Sequence, residues 1–179
     1  CRLWFSLLYF GHDEKKIHIL NGGLKKWIFE NKPTTKDKTE IIKSNYVASE
    51  KENLVVSFDQ IKKNILSKSF NVIDARSLER FEGKVSEPRK GLRSGHIQNS
   101  FCLPFNQCIN QKTGEFKNLE ELRELFNQNE NIEKRLDQVF TCGSGVTAAV
   151  LAYAYKMVNN DYIPKIYDGS WSEYGKYPA

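Results

Sequence analysis

The sequence is poor in the side chains that build metal and redox centres. Its three histidines and four cysteines are scattered, and no two cysteines stand in C-x-x-C spacing. Neither a zinc site nor a dithiol redox motif is supported, and no resident cofactor is expected. Cys1, Cys102, Cys108 and Cys142 form no disulfide framework, and a working thiol fits a reducing compartment, read here as the cytoplasm. No run approaches the ~20 apolar residues that cross a bilayer, so no membrane contact is expected. Leu3 to Phe10 is apolar but short, without the charged lead-in and small-residue cleavage site of a signal peptide. The chain starts at Cys1 rather than at methionine, and the start is read as a truncation. Lys and Arg exceed Asp and Glu by only 27 to 22, intermixed along the chain. That pattern speaks against a nucleic-acid-binding stripe; a solvated basic surface would also suit an anionic substrate.

What the sequence does contain is a stretch from Asp137 to Ala148, around which the chain is organised. Val139 and Phe140 read as a short buried strand. A helix is expected to follow, with Val146, Ala149, Val150, Tyr153 and Met157 on one face. Between them Cys142-Gly143-Ser144-Gly145-Val146-Thr147 makes a tight turn, whose glycines let backbone N–H groups approach a ligand. The helix start adds its positive end, so Cys142 reads as a reactive thiol of low pKa. The structural alternative is a small buried hydrophobe at a strand end. The turn lacks the Gly-Lys-Ser/Thr of a phosphate-binding loop. Position 148, where a cysteine phosphatase needs an arginine, is Ala148.

Cys142-Gly143-Ser144-Gly145-Val146-Thr147-Ala148 resembles the active-site loop of 3-mercaptopyruvate sulfurtransferases, the sister group of the thiosulfate sulfurtransferases (rhodaneses). The thiosulfate enzymes typically carry two basic residues after the cysteine, where this loop has Gly143 and Ser144. The resemblance continues through Asp74-Ala75-Arg76, Arg80-Phe81, Glu87-Pro88-Arg89, Gly95-His96-Ile97 and Tyr167-Asp168-Gly169-Ser170-Trp171. It implies an α/β rhodanese-like domain with a central parallel sheet flanked by helices, preceded by the C-terminal remnant of a second homologous domain. It also implies Cys142 as the nucleophile, and Arg80 and Arg89 as the pair that holds the substrate carboxylate and carbonyl. Ser144 would join a Ser-His-Asp relay whose other members lie in the N-terminal domain.

In chain order, residues 2 to 10 read as the tail of a helix ending at Gly11. Lys16 to Leu20 is a strand candidate, and Asn21-Gly22-Gly23 turns into a helix from Leu24 to Glu30. Ile19 to Trp27 can be laid over Ile166 to Tyr174, which points to two copies of one unit. Residues 1–32 are accordingly assigned to the remnant, 33–53 to a linker that could pair along Tyr46-Val47-Ala48, and 54–179 to the catalytic domain. An exposed apolar face is expected on the remnant. Ser57 with Gln60 caps a helix burying Phe58, Ile61 and Ile65, and Phe70 to Ile73 is a strand ending at Asp74. Asn118 with Glu121 caps a helix with Leu119, Leu122 and Phe126 inward. Strands alternating with helices indicate a parallel sheet with ligands at its carboxyl edge, where Asp74 and Cys142 would meet.

Asp74 to Ser100 is a long polar loop carrying Arg76, Arg80, Arg89 and Arg93. A guanidinium fork offers a carboxylate two parallel donors. Pairing of Arg80 and Arg89 with Glu82 or Glu87 is the structural alternative; Arg76, His96, Cys102 and Cys108 read as packing residues. The preferred function is sulfur transfer from 3-mercaptopyruvate, a small anionic donor, to cyanide or to a thiol acceptor such as a thioredoxin-like protein. Thiosulfate as donor, or a non-catalytic binding module, are the alternatives.

Overall fold

The computed structural model describes residues 1–128 and 132–178. Four strands, β1 (Phe70–Asp74), β2 (Ser100–Cys102), β3 (Asp137–Thr141) and β4 (Lys165–Ile166), form one parallel sheet in the order β2-β1-β3-β4. Along β1 and β3 the side chains alternate between the two faces, as the pleat requires. Val72 and Val139 meet Ile61 of α3 (Phe58–Ser67) and Trp171 of α7 (Ser170–Tyr174) on one side. Ile73 and Phe140 meet α1 (Arg2–Tyr9), α5 (Leu119–Asn127) and α6 (Ala148–Val158) on the other. Two apolar layers thus cover a sheet buried on both faces, the architecture expected of parallel strands. Strands β1 and β3 pair with Asp74 opposite Thr141, so both end at the same edge of the sheet.

Both expected capping boxes are present. Ser57 and Gln60 close the start of α3, and Asn118 and Glu121 that of α5, each by reciprocal side-chain to backbone bonds. Helix α1 ends as its sequence implies, with Gly11 at φ +85° and its N–H on the Leu8 carbonyl. Trp4, Phe5 and Leu8 of α1 enter the same apolar layer as α6, and Trp4 packs edge-on against Tyr153. Helix α2 (Gly23–Phe29) does carry an exposed apolar face, of Leu24, Ile28 and Phe29.

Several local expectations fail, each for a reason that lies beyond the segment itself. Lys16 to Leu20 forms no strand: Lys16 ends a single helical turn (Glu14–Lys16) and the rest is irregular chain, because its alternating pattern finds no strand to pair with among the described residues. Tyr46 to Ala48 is likewise no strand; Ser49 and Lys51 instead donate single backbone bonds to the end of α1, at Phe10 and Tyr9. Helix α6 begins at Ala148, later than expected, and buries Ala148, Ala149, Leu151, Ala152 and Ala154 while Val146 stays exposed. In α5 it is Leu122 and Leu125 that are buried, with Leu119 exposed. Strand β2 has no counterpart among the expected strands, and the long loop before it contains one short helix, α4 (Leu78–Phe81).

Candidate active site

Cys142 follows the last residue of β3 directly, at the carboxyl edge of the sheet, and is 2% exposed. The chain cannot continue straight there, and the turn that follows is strapped to the start of α7. The carbonyls of Cys142 and Gly143 accept the N–H groups of Trp171 (2.9 Å) and Ser172 (3.0 Å). Ser170, fully buried, supplies the complementary half: its Oγ accepts the N–H of Cys142 (3.3 Å) and of Gly145 (3.0 Å), and donates to the Tyr167 carbonyl. One Ser144 N–H points at the Cys142 Sγ, 3.4 Å away. The turn therefore sets one backbone amide, that of Ser144, on the sulfur, and it is held from outside by α7.

The arginines reach this turn from the loop after β1. A side chain at Gly143 would stand 3.1 Å from Arg80 Nη2 and 3.6 Å from Arg89 Nη1, so both guanidinium groups converge on the residue next to Cys142. Arg80 is fixed by Glu87, with Nη2 2.6 Å from Oε2. Glu87 is itself shared with Arg76, whose Nη1 lies 2.8 Å from Oε1. Arg76 is bound by the Asp74 carboxylate through Nε and Nη2 and by the Gly95 carbonyl. The side chains of Asp74, Arg76 and Glu87 are each 1% exposed. Arg89, by contrast, is exposed and forms no ion pair among the described residues. Of the pairings weighed from sequence, Arg80 with Glu87 is the one present among the described residues, and it leaves Arg80 still facing Gly143. His96 does pack in the loop, stacked on Phe81 with Nδ1 at the Phe81 carbonyl.

Gly145 is buried with φ +75°, a conformation that a side chain resists, and Thr147 caps α6 with its carbonyl. Burial pushes the thiols of Cys102 and Cys108 up to about 12, which makes them poor nucleophiles at neutral pH. Three residues of this site carried no role from sequence: Ser170, and the pair Arg2 and Asp168, which adjoins Gly145. Ser170 stood inside a recognisable motif, but its function depends on contacts with a turn 25 residues earlier. No cluster of His, Cys, Asp and Glu able to hold a metal ion occurs among the described residues, and no helix there is long and apolar enough to cross a membrane.

A parallel sheet with one cysteine on a glycine-rich turn at its carboxyl edge, overlooked by two arginines, defines a thiol-centred α/β domain. The chain belongs to the rhodanese-like domain family, whose model matches residues 57–177. It is 35% identical over 173 residues to the 3-mercaptopyruvate sulfurtransferase of Homo sapiens, covering 97% of this chain and 57% of that protein. It is 34% identical over 173 residues to the thiosulfate sulfurtransferase of Gallus gallus, with the same coverage. Among solved structures, SseA from Escherichia coli, described as a 3-mercaptopyruvate sulfotransferase, superposes with a TM-score of 0.79 at 31% identity over 96% of this chain and 62% of that one. The chain thus spans a little over half the length of these relatives.

Proposed function

We propose that this chain is the catalytic part of a sulfurtransferase that takes sulfur from 3-mercaptopyruvate and passes it to cyanide or a thiol through a persulfide on Cys142. The observation that carries this reading is the convergence of Arg80 and Arg89 on Gly143, beside Cys142, whose sulfur faces the Ser144 amide. An α-keto acid presents a carboxylate and a carbonyl side by side, which two guanidinium groups bind and orient. In the first half-reaction the Cys142 thiolate attacks the donor sulfur, the carbon–sulfur bond breaks, and its electron pair leaves as the enolate of pyruvate, which takes up a proton. In the second, an acceptor thiolate or cyanide attacks the outer sulfur and Cys142 leaves as thiolate.

Thiosulfate is the competing donor, since a relative of equal coverage bears that name. The uncharged Gly143-Ser144 pair favours mercaptopyruvate, because a dianion would be better held by basic side chains at these positions. The division into a remnant over residues 1–32, a linker over 33–53 and a catalytic domain from 54 is part of this proposal, as are the cytoplasmic setting and a thioredoxin-like acceptor. Intact mass after incubation with each donor tests it. A gain of about 32 Da, lost on adding cyanide and absent from Cys142→Ser, is expected with mercaptopyruvate. A gain with thiosulfate alone would replace the donor, and no gain with either would leave a binding module.

A further inference from the structure

Arg2 opens α1, well outside residues 57–177, yet its side chain ends at the cysteine turn. Its guanidinium grips Asp168 with both prongs, Nη1 on Oδ1 and Nη2 on Oδ2. Nη1 also reaches the carbonyl oxygen of Gly145 at 3.4 Å. Ser170 Oγ accepts the N–H of the same residue, Gly145, at 3.0 Å. A Cβ on Gly145 would stand against the Asp168 carboxylate and 2.7 Å from Arg2 Nη1, so the missing side chain is what admits the pair.

Stability does not explain this arrangement. The Arg2 and Asp168 side chains are 39% and 40% exposed, and ion pairs so open to water contribute little to folding. Its local consequence is larger. A trans peptide unit is planar, with its C=O and N–H pointing in opposite directions. Holding the Gly145 carbonyl on the Arg2 side therefore turns the Val146 N–H to the other side of the turn. Among the described residues no protein acceptor takes that N–H, which leaves it available to a ligand. The hydrogen bond to Asp168 raises the Arg2 pKa, burial opposes this, and the charge of a Cys142 thiolate adds to the rise, so guanidinium and sulfur lie within electrostatic reach.

We infer that Arg2 is a positioning residue which, by holding the Gly145 carbonyl, aims the Val146 N–H at an anionic sulfur group carried by Cys142. The nature of that group rests on the sulfur-transfer reading; the geometry of the turn does not.

Arg2→Met, Arg2→Lys and Asp168→Asn, made in the full chain, test this by three readouts: steady-state sulfur transfer from 3-mercaptopyruvate, the rate of Cys142 alkylation by iodoacetamide at neutral pH, and the thermal midpoint. Arg2→Met should lower kcat about tenfold and leave KM for the donor within about twofold, because Arg2 holds the turn rather than the donor. Alkylation should slow severalfold with the thermal midpoint unchanged. Arg2→Lys should recover most of both rates, since an ammonium still donates to the Gly145 carbonyl, and Asp168→Asn should fall between. Wild-type kcat and alkylation in Arg2→Met would overturn the inference. So would equal loss in Arg2→Met and Arg2→Lys with a lowered midpoint, which would make the pair a fastener for α1. Should Arg2→Met fail to fold, Asp168→Asn carries the comparison. If the wild-type chain takes up sulfur from neither donor, the sulfur-transfer reading fails separately, and alkylation alone decides: slowed in Arg2→Met, the turn is positioned by Arg2; unchanged, it is not.

Discussion

Glu87 Oε2 lies 2.6 Å from Arg80 Nη2, while the other oxygen of the same carboxylate is held by Arg76 Nη1 at 2.8 Å. One buried acid thereby sets the place of the arginine nearest Gly143, and Asp74 sets the place of Arg76. A chain of charges runs from the end of β1 to the cysteine turn, and it makes the turn's electrostatics a property of the sheet edge rather than of a surface loop.

Glu87→Gln should therefore act on both stability and substrate. It leaves the buried Arg76 guanidinium with one carboxylate in place of two and frees Arg80. Breaking a buried ion pair on one side costs about 3 kcal/mol. Urea unfolding monitored by tryptophan fluorescence should show a loss of that order, together with a raised KM for the keto-acid donor. Unaltered unfolding would mean that Glu87 is dispensable to the network.

Arg80→Ala and Arg89→Ala should separate two kinds of contribution. Arg89 is exposed and without an ion pair among the described residues, so its loss should leave the thermal midpoint unchanged. Arg80 leaves Glu87 half-paired and should lower it. Each should raise KM for mercaptopyruvate roughly tenfold or more, as expected for a lost charge-assisted contact of about 1.5–3 kcal/mol. Unchanged KM in either variant would remove that arginine from the substrate site.

Ser170→Ala removes the acceptor shared by the N–H groups of Cys142 and Gly145. Two buried donors are left unpaired, at a cost of about 1–3 kcal/mol each. Faster hydrogen exchange is expected at the Gly145 amide, with a lower kcat for sulfur transfer. If exchange at Gly145 keeps its wild-type rate, the strap to α7 is held by the Trp171 and Ser172 contacts alone.

Thiol labelling gives a pH-dependent check. With pKa values near 12, Cys102 and Cys108 are thiolate to roughly one part in 10⁵ at neutral pH, rising tenfold per unit of pH. Peptide mapping after brief iodoacetamide treatment at neutral pH should find neither modified in the folded chain and both modified in urea. Labelling of either in the native state would show that burial does not protect it.

Gly145→Ala should distort the turn without disturbing the sheet. The residue sits at φ +75° with Asp168 and Arg2 where a Cβ would go. A left-handed non-glycine residue costs of order 1–3 kcal/mol before any clash. A modest fall in thermal midpoint is expected beside a large fall in kcat, and normal kcat would show that the turn tolerates the shift.

Much of this protein is written locally. Residues only three apart, Ser57 with Gln60 and Asn118 with Glu121, fix two helix starts by bonds that neither needs the rest of the fold to form. Phe70 to Asp74 and Val139-Phe140 are legible as strands because burial on both faces selects continuous apolar runs. The cysteine turn is legible for the same reason: its glycines, and the cysteine between strand and helix, act through a few consecutive bonds. Where the pattern was short or unpartnered it misled. Ser100 to Cys102 is a strand only because β1 lies beside it, and Lys16 to Leu20 is none because no strand among the described residues does.

What the sequence by itself determined is thus the α/β alternation, the capped helices and a cysteine on a glycine-rich turn at a strand end. What only the tertiary structure decided is how that turn is held: Ser170 on two of its amides, Arg2 on its carbonyl from 143 residues away, and Glu87 behind Arg80. Periodicity and capping act over single turns of chain and are readable there. A hydrogen bond or an ion pair between distant segments leaves no spacing in the sequence, because it exists only once the packing of sheet and helices has brought its partners together.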